Sequence, residues 1–207
     1  MKGKFVTFEG CEGVGKSRQV KLLEEYLRKN NIEYYLTREP GGTPLSEKIR
    51  EIILDKNNAT MTDECEALLY ASARVQLLKE EIGPRLARGE LVICDRYIDS
   101  SFAYQANGRG LGYDFIEKIN CYAIQNYLPD LTLFLDLTPE QAFKRKGGVD
   151  KEDRLELSGM EFHNKVYEGY KMAKQKFPER IVEIDASGTK EQTHAKIVNA
   201  LKEKGII

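Results

Sequence analysis

One stretch limits this chain more than any other. Residues Gly10-Cys11-Glu12-Gly13-Val14-Gly15-Lys16-Ser17 satisfy the pattern G-x-x-x-x-G-K-[ST] at every fixed position. The apolar run Phe5-Val6-Thr7-Phe8 precedes it, and Val20, Leu23 and Leu27 follow at helical spacing. Strand, glycine-rich loop and helix in that order form a cradle in which backbone N–H groups ring a phosphate. Lys16 is then expected to reach the outer phosphates and the Ser17 hydroxyl to ligate Mg²⁺. The whole stretch from Gly10 to Ser17 is expected to bind a nucleoside triphosphate.

Strand and helix signals alternate through the rest of the chain, which predicts a parallel sheet of about five strands flanked by helices on both faces, an α/β fold of the P-loop NTPase type. The spacing predicts strands near Phe5–Phe8, Glu33–Thr37, Leu91–Cys94, Leu131–Leu137 and Ile181–Ile184. Helices are expected up to Lys29, around Leu45–Ile53, from about Asp63 towards Lys79, over Asp114–Leu128, from Met160 to Lys176 and from Lys190 to Lys204. Thr138-Pro139-Glu140-Gln141 reads as a capped helix start. Between them, Arg38-Glu39-Pro40-Gly41-Gly42 and the Gly108–Gly112 stretch read as loops. Lys144 to Arg154 is charged, holds Gly147-Gly148 and has no apolar period, which predicts a mobile lid at about 144–155. Residues 1–207 are expected to form a single domain.

Bulk properties narrow the partners. The net charge is −1, so no global basic field recruits nucleic acid or an anionic membrane, and anion binding must be local. No apolar run approaches the ~20 residues of a membrane helix. The four cysteines are scattered without a C-x-x-C pair, which predicts reduced thiols in a cytoplasmic protein. His163 and His194 are expected as surface helix residues.

In parallel α/β sheets, ligands gather at the carboxyl ends of the strands. Here those ends carry the phosphate loop, Arg38-Glu39, Asp95-Arg96 and the segment after Thr138. A guanine-reading N-K-x-D motif is missing its aspartate at the nearest match, Asn164-Lys165-Val166-Tyr167. A motor or helicase needs more chain and a basic track for its strand. What remains is a small kinase holding two anionic substrates close together, with a non-catalytic nucleotide switch as the rival of another class. Arg38, Arg50, Arg74, Arg96, Arg145 and Arg154 fall at or after the strand ends and are candidates for the second anion site. Arg50 and Arg145 fit plain helix-surface charge equally well. Arg96 directly follows a buried strand beside the phosphate loop and fits it poorly.

At these residues the chain resembles a known family. Gly10–Ser17, Thr37-Arg38-Glu39-Pro40-Gly41-Gly42-Thr43, Ala71-Ser72-Ala73-Arg74, Cys94-Asp95-Arg96-Tyr97, Ser101-Phe102-Ala103-Tyr104-Gln105 and Pro129-Asp130-Leu131-Thr132 together resemble the bacterial thymidylate kinases over essentially the whole length. The resemblance implies transfer of the ATP γ-phosphoryl group to dTMP, giving dTDP and ADP with Mg²⁺, by a cytoplasmic homodimer. It implies that Arg96 contacts the acceptor phosphate and that Asp95, with Ser17, organises the metal. Glu12, apart from the bland reading that it faces solvent, is implied to reach the sugar 3′-hydroxyl or to brace Arg96. Gly13 stands where one class of the family has arginine, so a lid cation is expected to serve as the catalytic finger. Arg145, Lys146, Lys151 and Arg154 are the candidates, with Arg154 favoured and Arg145 assigned to the donor nucleotide. On the acceptor side the resemblance implies Glu39, Arg50, a stacking Tyr70, Arg74 on a base carbonyl, and Ser101 and Gln105 on the base edge. It further implies that Tyr104 excludes a ribose 2′-hydroxyl.

Overall fold

The computed structural model describes residues 3–145 and 159–207. Five strands, β1 Lys4–Glu9, β2 Tyr35–Arg38, β3 Leu91–Asp95, β4 Leu131–Asp136 and β5 Ile181–Asp185, form one sheet in the order β2-β3-β1-β4-β5. Every pairing is parallel. The helices are α1 Lys16–Lys29, α2 Pro44–Leu54, α3 Asp63–Leu77, α4 Gly83–Ala87, α5 Ile98–Ser101, α6 Tyr113–Ile119, α7 Cys121–Asn126, α8 Pro139–Arg145, α9 Gly159–Lys176 and α10 Lys190–Glu203. The expected α/β architecture is therefore the observed one.

Alternation along the strands sorts side chains into two cores. Val6, Phe8, Ile93 and Leu133 pack with Leu23 and Leu27 of α1, while Phe5, Val92 and Cys94 pack with Leu77, Leu78 and Ile82 on the opposite face. Burial on both faces is why β3 and β4 read as continuous apolar runs. The register sets the site. Arg38 pairs with Asp95, and Asp95 pairs with Phe8, so the carboxyl ends of β2, β3 and β1 finish level with one another.

Two local expectations differ from the structure, and one helical stretch has no counterpart among them. The single helix expected over Asp114–Leu128 is two, because Asn120 interrupts it and its side chain is shared between the Ile116 carbonyl and Arg74. The polar, aromatic run after Arg96 is helical: α5 continues into a wider π-type turn over Phe102–Gly108, against which α9 lies. His163, expected at the surface, is buried and packs its ring edge-on to Phe143 and Phe162. The polar pattern of α9 hides that inward turn. The expected lid at about 144–155 lies outside the described residues except for Lys144 and Arg145, which end α8.

Candidate active site

The loop after β1 is shaped by its glycines. Gly10 sits at φ 142°, and a Cβ there would stand 2.8 Å from the Leu135 carbonyl oxygen; Gly15 sits at φ 96°. Helix α1 starts directly after Gly15 with no side-chain cap and no acidic residue in its first turn. Thr43, Thr62 and Thr189 cap α2, α3 and α10 through their hydroxyls. The uncapped, positive end of α1 is thus left for an anion. Lys16 is buried beside it and donates from Nζ to the Gly10 carbonyl at 3.2 Å and the Cys11 carbonyl at 3.5 Å. Burial, then the charge of Arg96, draws the Lys16 pKa below the ordinary lysine value against the pull of Glu12 and Asp95. Burial pushes the Cys11 thiol up to about 12, so it packs and does not react.

Arg96 is held on all sides. Its φ of 68° lies in the left-handed region, which a non-glycine residue occupies at a cost of about 1–3 kcal/mol and keeps only where its surroundings fix it. One Nη donates to the Gly10 carbonyl at 3.2 Å, to Tyr170 Oη at 3.1 Å and to Ser100 Oγ at 3.3 Å. The other donates to the Glu12 carboxylate, and the guanidinium carbon lies 5.0 Å from the centre of the Tyr104 ring. Glu12 thus braces Arg96.

Beneath Arg96 lies a carboxylate that sequence reasoning missed. Glu9, at the end of β1, is fully buried. Its Oε1 accepts from the Tyr97 and Ser100 N–H groups at 2.8 and 3.1 Å. Its Oε2 accepts from Ser100 Oγ at 2.6 Å and Tyr170 Oη at 2.9 Å, the two hydroxyls that also touch Arg96. Burial, reinforced by Asp99, raises its pKa from 4.5 to about 7, partly offset by the Ser100 hydrogen bond and by Arg96. Nothing local marks Glu9, because its partners lie 88, 91 and 161 positions away.

Lys16, Ser17, Glu12, Asp95 and Arg96 line one cleft of about 320 Å³, together with Glu39, Arg50 and Tyr70. An inner recess of about 40 Å³ opens off it, sharing Glu12, Tyr70 and Arg96 and adding Ser101, Tyr104 and Gln105. A roomier groove of about 570 Å³ between α1 and β2 meets the site only through Ser17, Arg38 and Asp95. The converging charged groups, and not the volume, mark the site. In the cleft, Glu39 Oε2 accepts from Arg74 Nε at 2.8 Å while Oε1 is buried without a hydrogen-bond partner. Burial pushes Glu39 up to about 7 against the pull of Arg74. Arg50 donates to the Pro40 carbonyl at 3.1 Å.

Arg74 stands apart from the expectation that it meets the base. It lines neither cavity: it is buried behind Glu39, donating also to Asn120 Oδ1 and the Tyr97 carbonyl. Its position one turn from Tyr70 put it on the right element, but partners 35 and 46 positions away turn it inwards. Arg145 also lines neither of these cavities. It ends α8 and donates to the Ala186, Ser187 and Gly188 carbonyls after β5. Arg154, Lys146 and Lys151 lie outside the described residues.

Among the described residues, no cluster of three or more His, Cys, Asp or Glu could hold a metal by itself. Asp95 Oδ1, however, is a buried oxygen without a hydrogen-bond partner, and Asp95 shares the cleft with Ser17. Two protein oxygens beside a phosphate site fit Mg²⁺, which takes its remaining oxygens from substrate and water.

Comparison with known proteins places the chain in one family. The family model described as thymidylate kinase matches residues 8–197. A thymidylate kinase from Clostridium novyi is 48% identical over 203 residues, covering 97% of this chain and 99% of that protein. One from Caldanaerobacter subterraneus is 48% identical with 98% and 97% covered, and one from Bacillus velezensis is 48% identical with 92% and 91% covered.

Proposed function

The chain belongs to the thymidylate kinase family and phosphorylates dTMP to dTDP, and from that premise we propose how its residues do so. ATP is the donor, its phosphates lying along Gly10–Ser17 with Lys16 leaving the loop carbonyls for the phosphoryl oxygens. Ser17 and Asp95 would hold Mg²⁺, which would supply charge neutralisation on the phosphates. Arg96 receives the acceptor phosphate. A phosphate monoester has its second pKa near ~6, so at neutral pH the acceptor is already the nucleophilic dianion and no general base is needed. The chain's work is alignment and charge stabilisation: Lys16 on the donor side, Arg96 on the acceptor side, and a cleft that brings the two anions together. The observation that carries the reading is that Lys16 and Arg96 line the same cleft.

Tyr70, Ser101, Tyr104 and Gln105 surround the base and sugar, and Glu39 Oε1 and Arg50 complete the acceptor side. Arg145, bound edge-on to three carbonyls, has the planar guanidinium suited to stacking on the donor base. The chain works as one unit with a lid at about 144–155, and Arg154 is the cationic finger; unaltered kcat in Arg154→Ala would remove that role. The enzyme acts in the cytoplasm as a homodimer that takes small nucleotides and not nucleic acid. Exposed Leu45 and Ile52 on α2 with Leu68 and Val75 on α3 supply apolar surface for the dimer. Sedimentation equilibrium returning a monomer would exclude it. The function as a whole is tested by ADP release from ATP across thymidine, dTMP, dUMP, dCMP and dGMP. ADP release should depend on added acceptor and be fastest with dTMP. Release that needs no acceptor, or that prefers another one, would overturn the reading.

A further inference from the structure

The recess that takes the base is backed by an ion pair, its carboxylate buried and its guanidinium partly exposed, that the transfer chemistry does not use. Glu66 on α3 is fully buried, as is Gln105, which lines the recess. Gln105 Nε2 donates to Glu66 Oε1 at 2.8 Å. Arg109 donates from Nη2 to Glu66 Oε2 at 3.1 Å and from Nε to Oε1 at 3.4 Å, and its guanidinium carbon lies 4.6 Å from the centre of the Phe162 ring. A side-chain amide has two faces of opposite polarity, and on its own it can rotate to suit whatever meets it. This one cannot. A carboxylate facing a guanidinium only accepts, so turning Gln105 over would set its carbonyl oxygen against a carboxylate oxygen.

We infer that Glu66, backed by Arg109, is a positioning residue that fixes Gln105 with its NH₂ group inward and its carbonyl oxygen as the hydrogen-bonding atom offered to the base. A buried acceptor asks for a donor and penalises a lone pair. Thymine and uracil present an N–H at ring position 3, whereas cytosine presents a lone pair there. The pair therefore selects the protonated pyrimidine edge and rejects cytosine nucleotides. It acts through Gln105 and has no part in phosphoryl transfer. The inference rests on the proposed placement of the base beside Gln105.

The test is kcat/KM for dTMP and dCMP with ATP, in the wild type, Glu66→Gln, Gln105→Met and the double variant. Glu66→Gln gives Gln105 a partner that can donate as well as accept, so the dTMP:dCMP ratio should fall at least about tenfold, the scale expected for one mispaired buried polar contact. Because Glu66 acts through Gln105, adding Glu66→Gln to Gln105→Met should not lower the ratio further. Arg109→Met provides the same test without touching Glu66 and covers the case in which Glu66→Gln does not fold. Without the guanidinium, nothing pins the two Glu66 oxygens, Gln105 loses its fixed partner and can turn over, so the ratio should again fall. A merely structural role would lower both acceptors equally and leave the ratio unmoved in both variants, which would overturn the inference. A wild type without dTMP-dependent ADP release would overturn the functional reading instead, so the two failures are distinguishable.

Discussion

At the scale of single residues, the account turns on Arg96 and on what holds it. Arg96→Ala should lower kcat by about 10²–10³-fold, as loss of one preorganised charge-stabilising donor does, while the Kd for ATP stays within a few fold. Equal losses in kcat and ATP affinity would place Arg96 on the donor side. Glu9 makes a prediction of defined sign. The folded chain keeps a proton on Glu9 up to about pH 7, whereas at its ordinary value of 4.5 the group has already released it. Stability contributed by that proton is therefore present at low pH and lost as pH rises towards about 7. The melting temperature of the wild type minus that of Glu9→Gln should fall between about pH 4.5 and pH 7 and level off above, and a constant difference would refute the protonated assignment. Arg96 could be read from the sequence because the residue after a buried strand beside a phosphate loop has few other uses. Glu9 could not, because its burial is made by chain segments far from it. Arg74 shows the reverse: its element was legible, but its direction was decided by Glu39 and Asn120.

At the scale of elements, the inner recess depends on the contact between α9 and the π-type turn Phe102–Gly108. Gly169 of α9 sits against that turn so closely that a Cβ would meet the Ala103 Cα at 2.8 Å and its carbonyl oxygen at 3.1 Å. Both are backbone atoms, so neither can swing aside. Gly169→Val should cost about 1–3 kcal/mol of stability, the range for overpacking, and should raise KM for dTMP more than for ATP because Tyr104 and Gln105 lie on the displaced turn. KM values that change alike would detach the turn from acceptor binding. The five strands and most helices were legible because both-face burial and amphipathic spacing are written locally. The turn itself was not. Its polar and aromatic residues carry no clean period, and its inner face is defined by α9, more than fifty positions later.

At the scale of the whole molecule, the sheet makes the enzyme. Level carboxyl ends of β1, β2 and β3 bring a main-chain phosphate cradle and a braced guanidinium to one cleft, although Lys16 and Arg96 are far apart in sequence. That cleft is legible in outline from the strand–loop–helix order, since parallel sheets gather ligands at this edge. Its division into a charged cleft and an inner recess follows from side-chain directions that only the packed structure supplies. The central claim is that the two anion sites open into each other. The most direct measurement is steady-state inhibition by a compound in which adenosine and thymidine are joined through their 5′-oxygens by a chain of phosphates. It should compete with both ATP and dTMP, and a single molecule should saturate the enzyme. Competition with only one substrate, with the other still binding alongside, would contradict a shared cleft.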